Sequence, residues 1–216
     1  MSNKQSPDAL LLLATGCAHC PVVLENLSQL LKQGRLGRLE VINIVEHPQI
    51  AQRIGTRTVP WTRIGSFELE GVLSLAELER WIDQTDRDDG VANYLSHLLE
   101  TQRAHTVVNW LHHNPDRVHD LLSLLESPST PIVVRIGIGV VAEELQGTSL
   151  WQSALADIIK LTQSPDAALR ADAAHYLGLT LSSDAIEPLQ RILGDENPDV
   201  REIANESLGL LKGESS

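Results

Sequence analysis

Basic residues are scarce in this sequence and are not gathered into a run. The 216 residues include 17 lysines and arginines against 29 aspartates and glutamates, which gives a net charge of −12. Because proteins bind the backbone of nucleic acids mainly through clustered lysine and arginine, this balance makes nucleic acid a poor partner. The deficit is uneven: residues 88–216 hold 8 basic and 19 acidic side chains, whereas residues 1–87 hold 9 and 10. The sequence therefore predicts two differently built halves.

Long apolar runs are missing as well. A polar start, residues 1–8, is followed by the short apolar stretch Ala9–Leu13, which is too short for the apolar part of a signal peptide or for a membrane span. The 14 glycines and 10 prolines are too few for a collagen-like, mucin-like or wholly disordered chain. We therefore expect a soluble globular protein without membrane attachment, with the cytoplasm as its default compartment.

Cysteine occurs only at positions 17 and 20. Two cysteines placed at random in such a chain would fall three residues apart roughly once in a hundred cases. The pair is therefore the first candidate for a functional site. Half of a structural zinc site is one interpretation, but two further ligands at a similar spacing are missing.

Hydrophobic periodicity divides residues 1–87 into strands and helices. Each predicted strand is a short apolar run, and each predicted helix has apolar residues three and four apart or a recognisable start. Ser74 and Glu77 form a capping box at the start of the last helix. The order βαβαββα indicates a mixed sheet with helices on both faces. The predicted elements are strand 9–14, helix 22–34, strand 39–45, helix 48–54, strands 61–64 and 67–69, and helix 74–81.

Three motifs in this half share one arrangement. Cys17-Ala18-His19-Cys20 falls at the first strand-to-helix turn, Val59-Pro60 follows about forty residues later, and Gly71 comes after the last strand. Over residues 8–84 this arrangement resembles the thioredoxin family. The resemblance implies Cys17 as nucleophile, Cys20 as resolving thiol, a cis peptide bond before Pro60, and a substrate groove formed with Val59, Trp61 and Gly71. A strand-start proline is the alternative interpretation of Pro60.

Elementary electrostatics supports the same roles for the cysteines. A cysteine that opens a helix lies beside unpaired N–H groups and the positive end of the helix dipole, which favour the thiolate, so we expect Cys17 to be the more acidic thiol. Cys20 lies inside the first turn, where exposure is lower. A protonated His19 would stabilise the Cys17 thiolate and make the pair more oxidising. The alternative for His19 is an exposed histidine without an electrostatic task.

Three departures from the thioredoxin pattern limit what can be carried over. Leu11 stands where many thioredoxins have a buried acid that moves the proton of the resolving thiol, which predicts slow turnover. Thr15 and Gly16 replace a tryptophan-containing approach to the cysteines. The region around Gly71 lacks the glycines and aspartate with which glutaredoxins hold glutathione, so no cofactor beyond the cysteine pair is expected.

The pattern of residues 88–216 is helical throughout and contains an internal repeat with a period of about 31 residues. Pro165-Asp166 and Pro198-Asp199 divide each unit into two helices, and residues 152–213 resemble HEAT repeats of the phycobilisome-lyase type. A degenerate unit precedes them at Leu121–Arg135, and residues 91–113 form a more divergent helix pair. The repeated pairs are Leu155/Ile186, Ile158/Leu189, Leu161/Ile192, Leu169/Val200, Arg170/Arg201, Ala173/Ala204, Leu177/Leu208 and Gly178/Gly209.

Two further patterns in this half do not support a ligand site. Gly137–Ala142 matches a dinucleotide-type GxGxxA, but the next segment continues the helical series and supplies no second strand. Five of the histidines are crowded into one short stretch, yet their spacing matches no usual metal site, so we interpret them as polar surface. These histidines are His97, His105, His112, His113 and His119.

Together these patterns predict an α/β thioredoxin-like domain at residues 1–87 and an all-α HEAT-like solenoid at residues 88–216. The expected function is thiol–disulfide exchange with another protein, with the acidic solenoid as the binding module for a client that has a basic surface. The alternative is a redox-sensing adaptor or assembly chaperone in which the solenoid is the working part.

Overall fold

The computed structural model describes residues 6–213 and divides the chain between Val91 and Ala92 into two compact units. The first five and last three residues of the predicted domains therefore lie outside the described residues. The first unit follows the predicted βαβαββα order. Its elements are β1 (Asp8–Leu13), α1 (Cys20–Lys32), β2 (Arg38–Asn43), α2 (Pro48–Ile54), β3 (Trp61–Ile64), β4 (Phe67–Glu70) and α3 (Leu75–Gln84), and the division falls within α4 (Gly90–Glu100).

The four strands of the first unit form one mixed sheet in the order β2-β1-β3-β4. β1 is parallel to β2 and antiparallel to β3, and β3 is antiparallel to β4. Leu11 and Leu12 in β1 are completely buried although they point to opposite faces. A strand that is buried on both faces needs an uninterrupted apolar run, which explains why the sequence of β1 does not alternate.

The two faces of this sheet have different neighbours. Leu10 and Leu12 pack with Trp61 on one face, and Ile50 and Ile54 of α2 pack against the same cluster. α1 and α3 contact each other and bury one side of each helix, as amphipathic helices on a sheet do. The capping box that begins α3 is present, because Ser74 N–H donates to Glu77 at 2.8 Å and Glu77 N–H donates to Ser74 at 3.3 Å.

The described residues of the second unit contain helices and no strand. None of the helices in residues 6–213 is long and apolar enough to cross a membrane. After α4 the unit continues with α5 (Ala104–His113), α6 (Val118–Glu126), α7 (Ile132–Glu144), α8 (Ser149–Ser153), α9 (Leu155–Leu161), α10 (Ala167–Leu179), α11 (Ile186–Ile192) and α12 (Pro198–Lys212).

The sequence repeat appears as two equivalent helix pairs, α9 with α10 and α11 with α12. Asp166 and Asn197, which are separated by one repeat period, are the N-caps of α10 and α12 and accept from the N–H groups of Ala168 and Asp199. Asp166 and Asn197 are thus the equivalent positions of the two repeats. Pro165-Asp166 and Pro198-Asp199 are further apart than one period, so these two pairs do not occupy equivalent positions.

An arginine at the same position of each repeat binds the loop between the two helices of its own pair. Arg170 donates to the carbonyl of Ser164 at 3.0 Å, and Arg201 donates to the carbonyl of Asp195 at 2.7 Å. Arg170 also forms a two-point ion pair with the Asp195 carboxylate, at 2.8 and 2.9 Å. Because each arginine fixes the loop between its two helices, the sequence repeat is also a repeat of hydrogen bonds.

The GxGxxA segment lies inside α7 and not at a strand-to-helix turn. A Cβ atom at Gly137 would lie 2.9 Å from Cδ2 of Leu99 in α4. The glycine therefore permits close packing of two helices, and the context that a dinucleotide-binding loop requires is missing.

Candidate redox site

The topology of the sheet brings the predicted site residues to one edge. β1 and β3 are antiparallel with Leu12 opposite Trp61, so the residues after β1 and those before β3 lie at the same edge. β3 and β4 are antiparallel with Trp61 opposite Glu70, which adds Gly71 to that edge. Segments that are far apart in sequence thus meet where Cys17 and Pro60 lie.

Cys17 and Cys20 are joined by a disulfide bond, with their Cα atoms 5.6 Å apart. Cys17 is partly exposed, whereas Cys20 is only 3% exposed. The backbone N–H of Cys20 donates to Sγ of Cys17 at 3.2 Å. The two cysteines therefore differ in exposure, and the sulfur of the more exposed one accepts a hydrogen bond.

The start of α1 explains this difference. The helix begins at Cys20, so Cys17 lies in the preceding turn, three residues before the first helical residue, and does not itself open the helix. Its Sγ nevertheless accepts an N–H from the first helical residue, where the backbone donors have no partner within the helix. Cys20 belongs to the buried side of α1 together with Val23 and Leu27, and this side is shielded from solvent.

Local hydrogen bonds hold the turn that carries Cys17. Cys17 N–H donates to the carbonyl of Ala14 at 3.2 Å, and Gly16 has a φ of +81°, a left-handed conformation that glycine adopts readily. Asn43, at the end of β2, donates to the hydroxyl of Thr15 at 2.9 Å. Thr15 and Gly16 are thus part of the scaffold of the turn.

His19 is the N-cap residue of α1, and its side chain makes no capping hydrogen bond. The imidazole is exposed and lies between the two cysteines in sequence. It therefore does not serve as a side-chain cap at this helix start.

The segment opposite the cysteines contains a cis peptide bond between Val59 and Pro60. Pro60 is buried, and its carbonyl accepts the N–H of Gly71 at 2.9 Å. Gly71 has a φ of +89°, a conformation that favours glycine. Pro60 and Gly71 are therefore held together at this edge by a backbone hydrogen bond.

Of the residues expected in the substrate groove, Trp61 lies elsewhere. Its side chain is 2% exposed and packs among Leu10 and Leu12 in the core. Side chains alternate along β3, so the residue after Pro60 points into the sheet face that α2 covers. Val59 is half-buried and packs against the same cluster. Fewer residues of this segment are thus accessible to a substrate than the sequence predicted.

Thr62 is a buried polar residue that no sequence motif marks. It lies opposite Leu11 in the register of β1 and β3 and is completely buried, and its hydroxyl has no hydrogen-bond partner among the described residues. The buried polar side chains in the described part of this unit are Thr56 and Thr62, and neither ionises. A threonine in a strand gives no sequence signal, since threonine is common in strands for steric reasons.

The histidines of the second unit form no metal centre: in residues 6–213 no three His, Cys, Asp or Glu side chains are arranged to hold an ion. His105 instead contacts Glu144 at 3.2 Å, and His119 contacts Asp157. Burial raises the pKa of Asp157, but hydrogen bonds from Lys160 and His119 outweigh it and lower the pKa overall. These histidines therefore connect neighbouring helices.

Two family models match the chain, one within each unit. Residues 9–83 match the family model of the thioredoxin domain, and residues 153–216 match the model of HEAT repeats. The search of curated proteins gives no match. The chain thus consists of a thioredoxin-like domain with a CxxC-spaced disulfide, followed by a helical region with HEAT repeats.

Proposed function

We propose that this protein is a thiol–disulfide oxidoreductase that acts on disulfides or dithiols of another protein, which its HEAT-repeat region binds. The observation that carries the proposal is the unequal placement of the two cysteines. Cys17 is partly exposed and its Sγ accepts an N–H at the start of α1, whereas Cys20 is buried. A thiolate is stabilised by such a hydrogen bond, and only an accessible sulfur can reach a client.

The exchange conserves atoms and electrons in two steps. In the reducing direction, the Cys17 thiolate attacks one sulfur of a client disulfide, a mixed disulfide forms, and the other client sulfur leaves as a thiolate. Cys20 loses its proton to solvent and attacks Cys17, which closes the Cys17–Cys20 disulfide and releases a client dithiol. The reverse sequence oxidises a client dithiol and leaves both cysteines reduced. In an assay of the reducing direction, a small dithiol such as dithiothreitol reduces the Cys17–Cys20 disulfide to two thiols and is itself oxidised to a disulfide.

Residues beside the cysteines have supporting roles in this proposal. Pro60 and Gly71, tied by the 2.9 Å hydrogen bond between their backbones, hold the edge against which a client strand lies during exchange. His19, when protonated, favours the Cys17 thiolate through its charge. The HEAT-repeat region supplies client affinity, since such repeats present extended surfaces to proteins.

Single-cysteine variants test the proposed roles. Cys20→Ser retains the first attack and lacks the resolving step, so it should accumulate mixed disulfides with a model client such as scrambled ribonuclease. Cys17→Ser should accumulate none, because its remaining sulfur is buried. Non-reducing gels after acid quenching measure the trapped species. Equal trapping by both variants would contradict the assignment of nucleophile and resolver.

The role of His19 has its own test. His19→Ala should move the reduction potential of the cysteine pair negative by about 10–30 mV, because the reduced state loses a favourable charge beside its thiolate. His47→Ala is the matched control, since His47 is also an exposed N-cap histidine near a helix-start proline, at the start of α2. An equal shift in both variants, or none in either, would remove His19 from the mechanism.

One observation favours the alternative, a redox-sensing adaptor. Leu11 is completely buried, and no acidic or basic side chain is buried among the described residues of this unit. No buried group is thus placed to take the proton of Cys20, which slows the resolving step. Steady reduction of a generic protein disulfide over many cycles would support the enzyme, and oxidation that stops after one equivalent would support the adaptor.

A further inference from the structure

α7 carries a row of large apolar side chains that face solvent. Ile132, Ile136 and Val140 are 72%, 63% and 40% exposed, and they lie four residues apart, on one side of the helix. The opposite side of α7 is buried through Val134 and Ile138. We call Ile132, Ile136 and Val140 the α7 stripe.

The repeat does not require apolar residues at these positions. Arg135 in α7 donates to the carbonyl of Ser127 at 3.3 Å and so corresponds to Arg170 and Arg201, which bind their own loops in the same way. Aligned on these arginines, the positions of Ile136 and Val140 are occupied by other residue types in the following repeats. They are Ala171 and His175 in α10, and Glu202 and Glu206 in α12. The stripe is therefore a property of α7 and not of the repeat fold.

Acidic groups lie at the Val140 end of the stripe. Glu143 and Glu144 are exposed and follow Val140 by three and four residues, on the same side of α7, and Glu144 also contacts His105. α10 contacts α7, and its Asp172 lies near Arg135. Burial raises the pKa of Asp172 and nearby Asp166 adds to this, against the opposing charges of Arg135 and His175. Asp172 and Glu143 both act on Tyr176 of α10 through their charges, so the two carboxylates lie near each other.

We propose that the α7 stripe binds a basic amphipathic segment of the protein client, whose apolar side chains cover Ile132, Ile136 and Val140 and whose lysines or arginines face Glu143, Glu144 and Asp172. The inference rests on the proposed function in that the bound protein is the one whose thiols exchange. A second copy of this chain fits poorly, because it also carries a net charge of −12 and the two copies would repel each other.

A cysteine-free peptide tests the surface independently of thiol exchange. The probe is a fluorescently labelled amphipathic peptide of about 18 residues with leucine on one face and lysine on the other. The same peptide with glutamate in place of lysine is the charge control. Fluorescence anisotropy with the full chain should show saturable binding of the lysine peptide, weakening as salt is raised, and at least about tenfold weaker binding of the glutamate peptide.

Two pairs of variants locate the binding site. Ile132→Ser combined with Ile136→Ser should weaken binding of the lysine peptide about tenfold or more. The matched control is Leu31→Ser combined with Leu193→Ser, which removes two exposed leucines elsewhere and should leave binding unchanged. Glu143→Lys should weaken binding severalfold, whereas Glu202→Lys, the same charge change on exposed α12, should have a smaller effect.

Several outcomes would overturn the inference. Equal binding of both peptides would mean apolar adhesion without charge selection, and equal loss in the stripe and control variants would mean that another surface binds. A dimer in sedimentation experiments that the stripe variant abolishes would make a second copy the occupant. The peptide lacks cysteine, so its binding does not depend on thiol exchange. Normal peptide binding together with no trapped mixed disulfide in Cys20→Ser would contradict the proposed exchange. Normal trapping together with no peptide binding would contradict the proposed role of the α7 stripe.

Discussion

The two units of this protein organise their side chains over different distances along the sequence. In the thioredoxin-like unit the candidate site depends on long-range pairing, because β1 lies beside β3 and thereby brings Cys17 to the edge that holds Pro60. In the HEAT-repeat unit the repeated hydrogen bonds are local, and Arg170 binds a carbonyl six residues earlier. A sheet assembled from distant segments is expected to lose its site as a whole, whereas a repeat loses stability near the damaged unit.

The largest effect is expected from truncating a fully buried leucine in each unit. Leu11→Ala and Leu177→Ala should each lower the free energy of unfolding of their own unit by about 2–5 kcal/mol, because both side chains are completely buried. Only Leu11→Ala should lower the temperature at which thiol exchange is lost. Exchange activity measured along a temperature ramp, beside circular dichroism of the helices, checks this. An equal loss of exchange in both variants would show that the units unfold together.

A smaller effect separates two glycines within the second unit. A Cβ atom at Gly178 would lie 2.8 Å from Cβ of Ser207 and 3.2 Å from its Cα, so Gly178→Ala should destabilise the unit by about 1–3 kcal/mol. At Gly139 the nearest such contact is the hydroxyl of Tyr176 at 3.7 Å. Gly139→Ala should therefore stabilise the unit by up to about 1 kcal/mol through helix propensity. Urea titration of both variants measures the two signs, and equal destabilisation would mean that α7 and α10 pack alike.

The smallest effect concerns the pH dependence of the link between repeats. The pKa of Asp195 is lowered from 3.8, chiefly by the hydrogen bonds from Arg170 and against the opposing effect of burial. A lowered pKa in the folded state stabilises the protein above pH 3.8, and this contribution is lost as the pH falls through the folded value. Asp195→Asn should therefore be less stable than the native chain at neutral pH, and the difference should shrink below pH 3.8.

Thermal unfolding measured from neutral pH down to strongly acidic pH gives this difference. Glu187→Gln is the matched control, because Glu187 pairs with Arg191 on the exposed surface of α11 and such pairs contribute little. A pH-independent deficit in Asp195→Asn would show that the carboxylate charge is not what links the repeats.

Much of the fold could be predicted because it depends on local pattern. The helix at Pro48–Ile54 and the strand at Trp61–Ile64 have the predicted bounds, since a proline, a glycine and short apolar runs mark them. The short helix Ser149–Ser153 was not predicted as a separate element, because its five residues are too few to show a period. Cys17 was expected to open α1 and lies three residues before it, because the ends of helices are the least certain part of a pattern.

The sequence by itself determined the order of elements, the cysteine pair and the internal repeat, because periodicity and spacing are properties of the chain alone. Tertiary structure decided which side chains those elements leave accessible. Trp61 lies in the core because α2 covers its face of the sheet. Thr62 lies opposite Leu11, and its hydroxyl has no hydrogen-bond partner among the described residues. Ile136 was left exposed in a helix that is apolar on nearly every side. Exposure depends on the element that packs against a residue, and that element lies elsewhere in the sequence.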